Sequence, residues 1–433
     1  MRRVVTLLTI VAVAGSLLLG GTDGATTKAA GGSDWRQFRG PGGLGRSNER
    51  GVPLNWSAQE NVIWKAALPG PGTSSPVVAG NMVFLTCYTG YGERDQKPLT
   101  WHVLCFNLLD GELLWDHEVS ARLPELPNQG DISYALAGRT PAADDHRLYV
   151  HFGKTGVFAF DHKGQQLWQA DIGQELNGYG VAGSPVLYRN LVILNASAES
   201  QSLVALDQQT GKEVWKARSI VQSSNTPLLV ELALTKTELV LAIEAQPQSL
   251  LVGFDPANGE QLWSCAVGKR CYMVPSPVAN DGVVYCIWAP GGGLSAAVLA
   301  GGRGDVTKTH LLWQANRGSN VSSPVYHDGY LYFAREDGGI VVCLDAKTGN
   351  TVYQEQLTPA PVGKIYASPV LIDGRIYYVS QTRGTFVVAA KPDFEQLTHN
   401  DLGDTSVFNA SPAVSNGRLL LRSDRYLYCI GEK

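Results

Sequence analysis

Leu203-Val-Ala-Leu-Asp-Gln-Gln-Thr-Gly-Lys-Glu-Val-Trp215 is the stretch that decides how this chain folds. Four apolar residues run into Asp207, a turn carrying Thr210 and Gly211 follows, and the chain then climbs to Trp215. Asp bonds its own turn amides and Gly takes the left-handed position, so the stretch reads as two short strands joined by a tight turn. Asp255, Gly259 and Trp263 repeat the spacing, and Asp345, Thr348 and Gly349 precede Tyr353 at the aromatic position. Trp64, Trp115, Trp168 and Trp313 occupy that position elsewhere. A large ring at one place in every repeat reads as a plug between neighbouring units, burying ~150–250 Å² each.

Outward from this core, a Ser-Pro or Thr-Pro pair opens each unit: at Ser75, Thr140, Ser184, Thr226, Ser276, Ser323, Ser368 and Ser411. Successive pairs stand 65, 44, 42, 50, 47, 45 and 43 residues apart. Units of about 40–50 residues suit a four-stranded blade, and one insertion explains the long first interval. Asp281-Gly282, Asp328-Gly329, Asp373-Gly374 and Asn416-Gly417 follow the first strand of their units. Such pairs are the strongest hairpin signals, because a type I′ turn needs positive φ at both central residues. The last unit ends after Tyr426–Ile430 without a fourth strand, and Asn61–Leu68, carrying Trp64, supplies it from the front. The predicted fold is therefore all-β: an eight-bladed β-propeller of four-stranded blades, closed by an N-terminal strand that completes the C-terminal blade. Closure removes the free sheet edges of an open array.

Composition agrees with β structure. The 433 residues include 48 Gly, 10 Trp and 17 Tyr, and only 17% are charged. The net charge of -4 provides no basic field for nucleic acid and no polybasic stretch for an acidic membrane. Arg2 and Arg3 precede an apolar run from Val4 to Leu19, then small residues through Ala29-Ala30. That is the pattern of a signal peptide. The expected organisation is a signal peptide over 1–30, a lead-in over 31–59 and the propeller over 60–433. No transmembrane segment is expected after signal removal, and retention of the leader as an anchor is the alternative. Seven Cys leave at least one unpaired. Cys265 with Cys271, and Cys87 with Cys105, are candidate bridges. Cys105, Cys343 and Cys429 share one repeat position, filled by Ala159, Ala205 and Gly253 in other units. That suits a small buried slot, where free Cys acts as a small hydrophobe.

The Asp-x-x-x-Gly-x-x-x-Trp pattern with Ser-Pro starts resembles the pyrroloquinoline quinone (PQQ) propeller repeat over residues about 60–433. The opening Asp34-Trp-Arg-Gln-Phe-Arg-Gly-Pro-Gly42 resembles the lead-in of PQQ-like exported proteins of planctomycetes and related bacteria. The family includes alcohol and glucose dehydrogenases and the outer-membrane assembly factor BamB. The resemblance implies an exported bacterial protein, periplasmic or extracellular. The chain departs from the dehydrogenases in having no adjacent Cys pair and no Cys-x-x-Cys-His haem motif. A Glu, Asn and Asp trio for Ca²⁺ is not evident. It departs from BamB in having no Cys after the apolar run to carry lipid.

In such propellers the loops before each Ser/Thr-Pro border the central channel. They bring Tyr134, Arg139, Tyr179, Asn225, Arg270, Tyr272, Arg317, Asn320, Tyr366 and Asn409. Arg forks onto a carboxylate, and Tyr joins flat apolar area to a hydroxyl. The group suits a small anion, a sugar or a peptide, while bonding to loop carbonyls and water is the competing account. Asp144-Asp145-His146-Arg147 occupies a hairpin-turn slot and reads as a solvated turn. Arg303-Gly-Asp305 matches a known adhesion tripeptide but reads as chance. Zinc spacings, nucleophile elbows and phosphate loops are absent from the sequence. The expected function is a monomeric, non-catalytic propeller that binds a protein, peptide or glycan at one face. The rival is a divergent PQQ-dependent alcohol or sugar dehydrogenase holding PQQ with Ca²⁺, with Arg139 and Asn225 as cofactor contacts.

Overall fold

In the computed structural model the eight Ser/Thr-Pro positions are linked to one another in a ring. The Ser75 amide donates to Thr140 Oγ1 at 2.9 Å, and Thr140 to Ser184 Oγ at 3.0 Å. Ser184, Thr226, Ser276 and Ser323 each continue to the next hydroxyl at 3.0 Å. Ser368 donates to Ser411 at 2.9 Å, and Ser411 returns to Ser75 at 3.1 Å. This belt encircles the axis, so the strands that follow it are the innermost of each sheet. They are Val77–Ala79, Ala142–Ala143, Val186–Tyr188, Leu228–Ala233, Val278–Asn280, Val325–His327, Val370–Ile372 and Ala413–Ser415, in blades 1 to 8. The structure describes residues 34–91, 99–122, 136–175, 183–233, 236–289 and 293–432. The expected signal peptide lies outside them.

Each blade is a four-stranded antiparallel meander, and blades 4 and 7 carry one short parallel strand besides. Val62–Ala67 pairs antiparallel with Tyr426–Ile430, setting Trp64 opposite Cys429. The N-terminal strand thus completes blade 8. The hairpin pairs have positive φ at both residues: 48° and 76° at Asp281-Gly282, and 54° and 69° at Asn416-Gly417.

The Trp side chains bridge blades. Trp64 Nε1 donates to Leu108 O of blade 1 at 2.9 Å, and Trp115 Nε1 to His162 O of blade 2 at 3.0 Å. Trp168, Trp215 and Trp313 do the same onto Gln208, Pro256 and Ala346. Each indole lies over the turn glycine of the next blade. A Cβ on Gly211 would stand 2.6 Å from the Trp168 ring, and one on Gly259 would stand 2.4 Å from Trp215. Gly is therefore needed there for contact as well as for φ. Trp263 departs from the pattern: its Nε1 donates to Glu238 within its own blade at 2.7 Å. Blade 5 lacks the Asp-x-x-x-Gly turn and instead inserts Gly304–Asp305, which pairs with Trp263 and Ser264. That insertion absorbs the adhesion-like tripeptide, since Arg303 contacts Glu238 at 3.3 Å and Asp305 accepts from Thr307 N at 3.0 Å.

All seven Cys are free and buried, so neither candidate bridge forms. Cys87 faces His102 across its hairpin, and Cys105 faces Phe84 and Trp115, so strand register separates the pair. Burial pushes the thiols of Cys87, Cys105, Cys343 and Cys429 up to about 12. They remain protonated hydrophobes. Asp144 is a turn residue, accepting from the amides of His146 and Arg147 at 2.7 Å.

The belt sets a stability prediction. Ser184→Ala strands the Thr140 amide, itself buried, without its acceptor. The expected loss is ~1–3 kcal/mol in denaturant unfolding, and Ser184→Thr should recover most of it.

Candidate functional site

The second strand of each blade runs from its hairpin turn toward the other end of the ring. There it meets the loop before the belt. The Glu244 amide donates to Gln222 O, Gln381 to Lys364 O, and Asp424 to Val407 O, each at 2.9 Å. These contacts frame one mouth of the channel, opposite the hairpin turns.

Arg139 stands immediately before belt residue Thr140, and its Nη2 meets Glu199 Oε1 at 2.5 Å. Glu199 lies on the single helical turn Ser197–Ser200 that follows the second strand of blade 3. His151, at the end of the second strand of blade 2, places Nε2 3.8 Å from the same oxygen. Both His151 nitrogens, Arg139 Nε and Glu199 Oε2 are buried with no hydrogen-bond partner among the described residues. Burial raises the Glu199 carboxyl above its ordinary range, opposed by the Arg139 charge. Burial and the same guanidinium hold His151 well below 6.5, so the imidazole is neutral at neutral pH. The cluster is a buried ion pair with a neutral His against it.

The pairing recurs around the mouth. Arg270 Nε meets Glu244 Oε1 at 2.8 Å. Arg422, fully buried, donates from Nη1 to Ser74 O and Oγ at 2.7 Å, and burial lowers it to about 10. Asp424, raised by burial, feels the Arg422 charge. Glu336 Oε2 accepts from the Asn320 amide at 3.2 Å.

Other sequence-predicted residues fall in different places. Tyr134 and Tyr179 lie outside the described residues. Tyr272 is 40% exposed. Tyr366 accepts from Lys364 Nζ at 3.3 Å in an exposed position, and Arg317 donates to Asn316 O. Asn409 Oδ1 accepts from Gln381 at 2.7 Å. Asn225 is enclosed: its amide donates to Ala242 O and Met273 O at 2.7 and 2.8 Å, and its oxygen accepts from Ala242 N. It joins blades 3, 4 and 5 and offers nothing to the channel.

The carboxylates Glu199, Glu244, Glu336 and Asp424 were not among the predicted residues. They follow second strands, whereas only the loops before Ser/Thr-Pro were read as lining the channel. A signal existed: Glu336, Gln381 and Asp424 stand at the same offset after Ser323, Ser368 and Ser411.

This ring matches the family model described as outer membrane protein assembly factor BamB, through residues 51–234, 100–355 and 305–430. The chain belongs to that family. The BamB of Burkholderia pseudomallei (strain K96243) is 25% identical over 342 residues, covering 76% of this chain and 80% of that protein. A polyvinylalcohol dehydrogenase from Pseudomonas sp is 22% identical over 361 residues, 77% of this chain but 45% of that enzyme. Among solved structures, BamB from Moraxella catarrhalis aligns with a TM-score of 0.59 at 14% identity, covering 86% of this chain and 97% of that one. The quinohemoprotein alcohol dehydrogenase of Comamonas testosteroni aligns with a TM-score of 0.66 at 11% identity, covering 92% and 81%. These two share the BamB-family ring as a fold.

The dehydrogenase likeness raises the question of PQQ and Ca²⁺. Calcium needs several free oxygen ligands. Arg139 occupies Glu199 and Arg270 occupies Glu244, while the fold consumes the Asn225 amide oxygen. Glu199, Glu244 and Asn225 therefore do not fit as ligands of a calcium-bound quinone.

His151 provides a pH test. Its folded pKa lies below the unfolded value, so the stability it contributes is present above 6.5 and is lost as the pH falls below it. The slope approaches about 1.4 kcal/mol per pH unit while only the unfolded chain takes the proton. Glu199, shifted upward, acts with the opposite sign and is kept in both proteins. Urea unfolding at about pH 7.5 and 5.5 should therefore show a smaller acid loss in His151→Gln than in wild type.

Proposed function

We propose that this chain is an exported, non-catalytic BamB-family propeller whose mouth binds an extended segment of a protein partner in the bacterial periplasm. The observation that carries this is Arg270, about half exposed beside Glu244 at the mouth. Its guanidinium can fork onto the carbonyls or a carboxylate of an extended segment, whereas the Arg139–Glu199 pair is buried. Tyr272 and Tyr366 add flat apolar faces with hydroxyls, which favour protein contacts. A small anion would face the carboxylates as well as the arginines, which makes it the poorer fit. The relatives called assembly factors support a partner-binding role. No helix among the described residues is long and apolar enough to cross a membrane, and the leader at 1–30 is read as the export signal.

A photo-crosslinking residue at Tyr272 or Tyr366 should capture one discrete protein in intact cells, and the same residue at rim position Leu167 should not. Arg270→Ala should weaken that purified pair about tenfold, or ~1.4 kcal/mol. Equal labelling at mouth and rim would sink the mouth reading. Turnover of an alcohol or sugar that depends on Arg139, or a saturable thermal shift with PQQ and Ca²⁺, would replace it with the oxidoreductase reading. A ligand of the folded state at a hundredfold excess over Kd stabilises by ~2.7 kcal/mol, well within detection.

A further inference from the structure

The segment from Asp34 to Arg50 touches the channel side of blade after blade. Trp35 exchanges both backbone hydrogen bonds with Val78 of blade 1, at 3.0 and 2.8 Å. Arg36 O accepts from Ala143 N of blade 2 at 2.8 Å. Gly43 approaches Leu228 of blade 4, and Arg39 Nη2 donates to Pro324 O, just after the belt in blade 6. Gly45 O accepts from Leu371 N of blade 7 at 2.8 Å, and Arg46–Ser47 then runs parallel to Leu371–Ile372. Glu49 Oε2 accepts from Gly417 N of blade 8 at 2.6 Å.

These partners lie on or beside innermost strands all round the ring. One short segment reaches them all only by crossing the axis. Its outer contacts are with hairpin turns: Gly80 N to Asp34 at 3.0 Å, Arg36 to Asp145 at 2.5 Å, and Glu49 to Gly417. It therefore crosses at the end opposite the mouth.

We infer that residues 34–50 form a plug closing the hairpin-turn end of the channel, leaving a blind cup that a partner enters only from the mouth. Arg39 is the bolt. It is 1% exposed, and burial alone lowers its guanidinium to about 9. Nη2 also donates to Leu44 O at 3.2 Å, and a Cβ on Gly45 would stand 2.5 Å from it. Gly45 has φ 68°, so the plug folds tightly back over its own arginine. A buried charge is costly unless hydrogen-bonded; Nη2 reaches the carbonyls of both plug and blade 6 only when the plug is seated, while Nε and Nη1 have no partner among the described residues. The inference concerns access alone and stands whether or not the mouth binds a peptide.

Amide hydrogen exchange on the full chain tests it. In wild type, Val78, Ala143 and Leu371 should be protected, because their amides donate into the plug. Arg39→Ala should speed exchange at all three by about tenfold or more, as local opening becomes easier, while the belt amides of Thr140, Ser184 and Ser323 stay slow. Gly45→Val, which displaces the guanidinium, should act in the same direction, and Arg36→Ala, at an exposed pair, should change little. Unchanged exchange in Arg39→Ala with an intact belt would overturn Arg39 as the bolt. Wild-type exchange at Val78, Ala143 and Leu371 as fast as at unpaired outer-edge amides would overturn the plug itself, whatever the variants do.

Discussion

The belt of eight amide-to-hydroxyl bonds is the constraint on which the rest of the ring depends. Each Ser or Thr uses its amide toward the next blade and its hydroxyl oxygen toward the previous one. The residue thus acts as donor and acceptor at once, a part that Ala cannot play. The Pro that follows has no N–H to satisfy and holds φ near the extended region, which aims the chain into the innermost strand. The belt fixes rotation at the axis, and the indole bridges fix it at the circumference. Neighbouring blades are held at both radii, and apolar clusters fill the wedge between them.

The two kinds of link differ in how strictly they recur. The belt has no gaps. The indole bridge lapses where blade 5 has no turn glycine to receive Trp263, and where Tyr353 packs edge-on against Phe394. A missing bridge loses one indole's contact, which an insertion such as Gly304–Asp305 can replace. A missing belt residue leaves a buried amide without its acceptor. Local satisfiability, more than total buried area, explains which feature tolerates variation.

This difference also explains what could be read from sequence. The blade count, the hairpins at Asp281 and Asn416, and the closing strand at Trp64 follow from short-range rules of turn φ and period. The belt did not follow, although its residues marked every repeat, because its bonds join positions more than forty residues apart. The same holds for Asn225, read as a channel residue from its place before Thr226. Its side chain turns sideways to join neighbouring blades, which only packing determines. Glu199 and Glu244 escaped notice because each meets its arginine from a different loop, Glu199 from a different blade.

A repeat builds symmetry, and a site needs that symmetry broken. Here it is broken differently at the two ends. At the hairpin-turn end, blades 5 to 8 keep short turns, and the asymmetry comes from outside the repeats, from residues 34–50. At the mouth it comes from within. A helical turn inserted after Ala196 carries Glu199 to Arg139, and a long outer strand ending at Lys269 carries Arg270 to Glu244. The ion pairs of Arg139 and Arg270 therefore sit on one side of the mouth, while Glu336, Lys364, Gln381, Asn409 and Asp424 line the other. Repeat positions that are equivalent in the ring thus carry different chemistry, because each loop keeps the belt and the strand ends but is free in its remaining side chains.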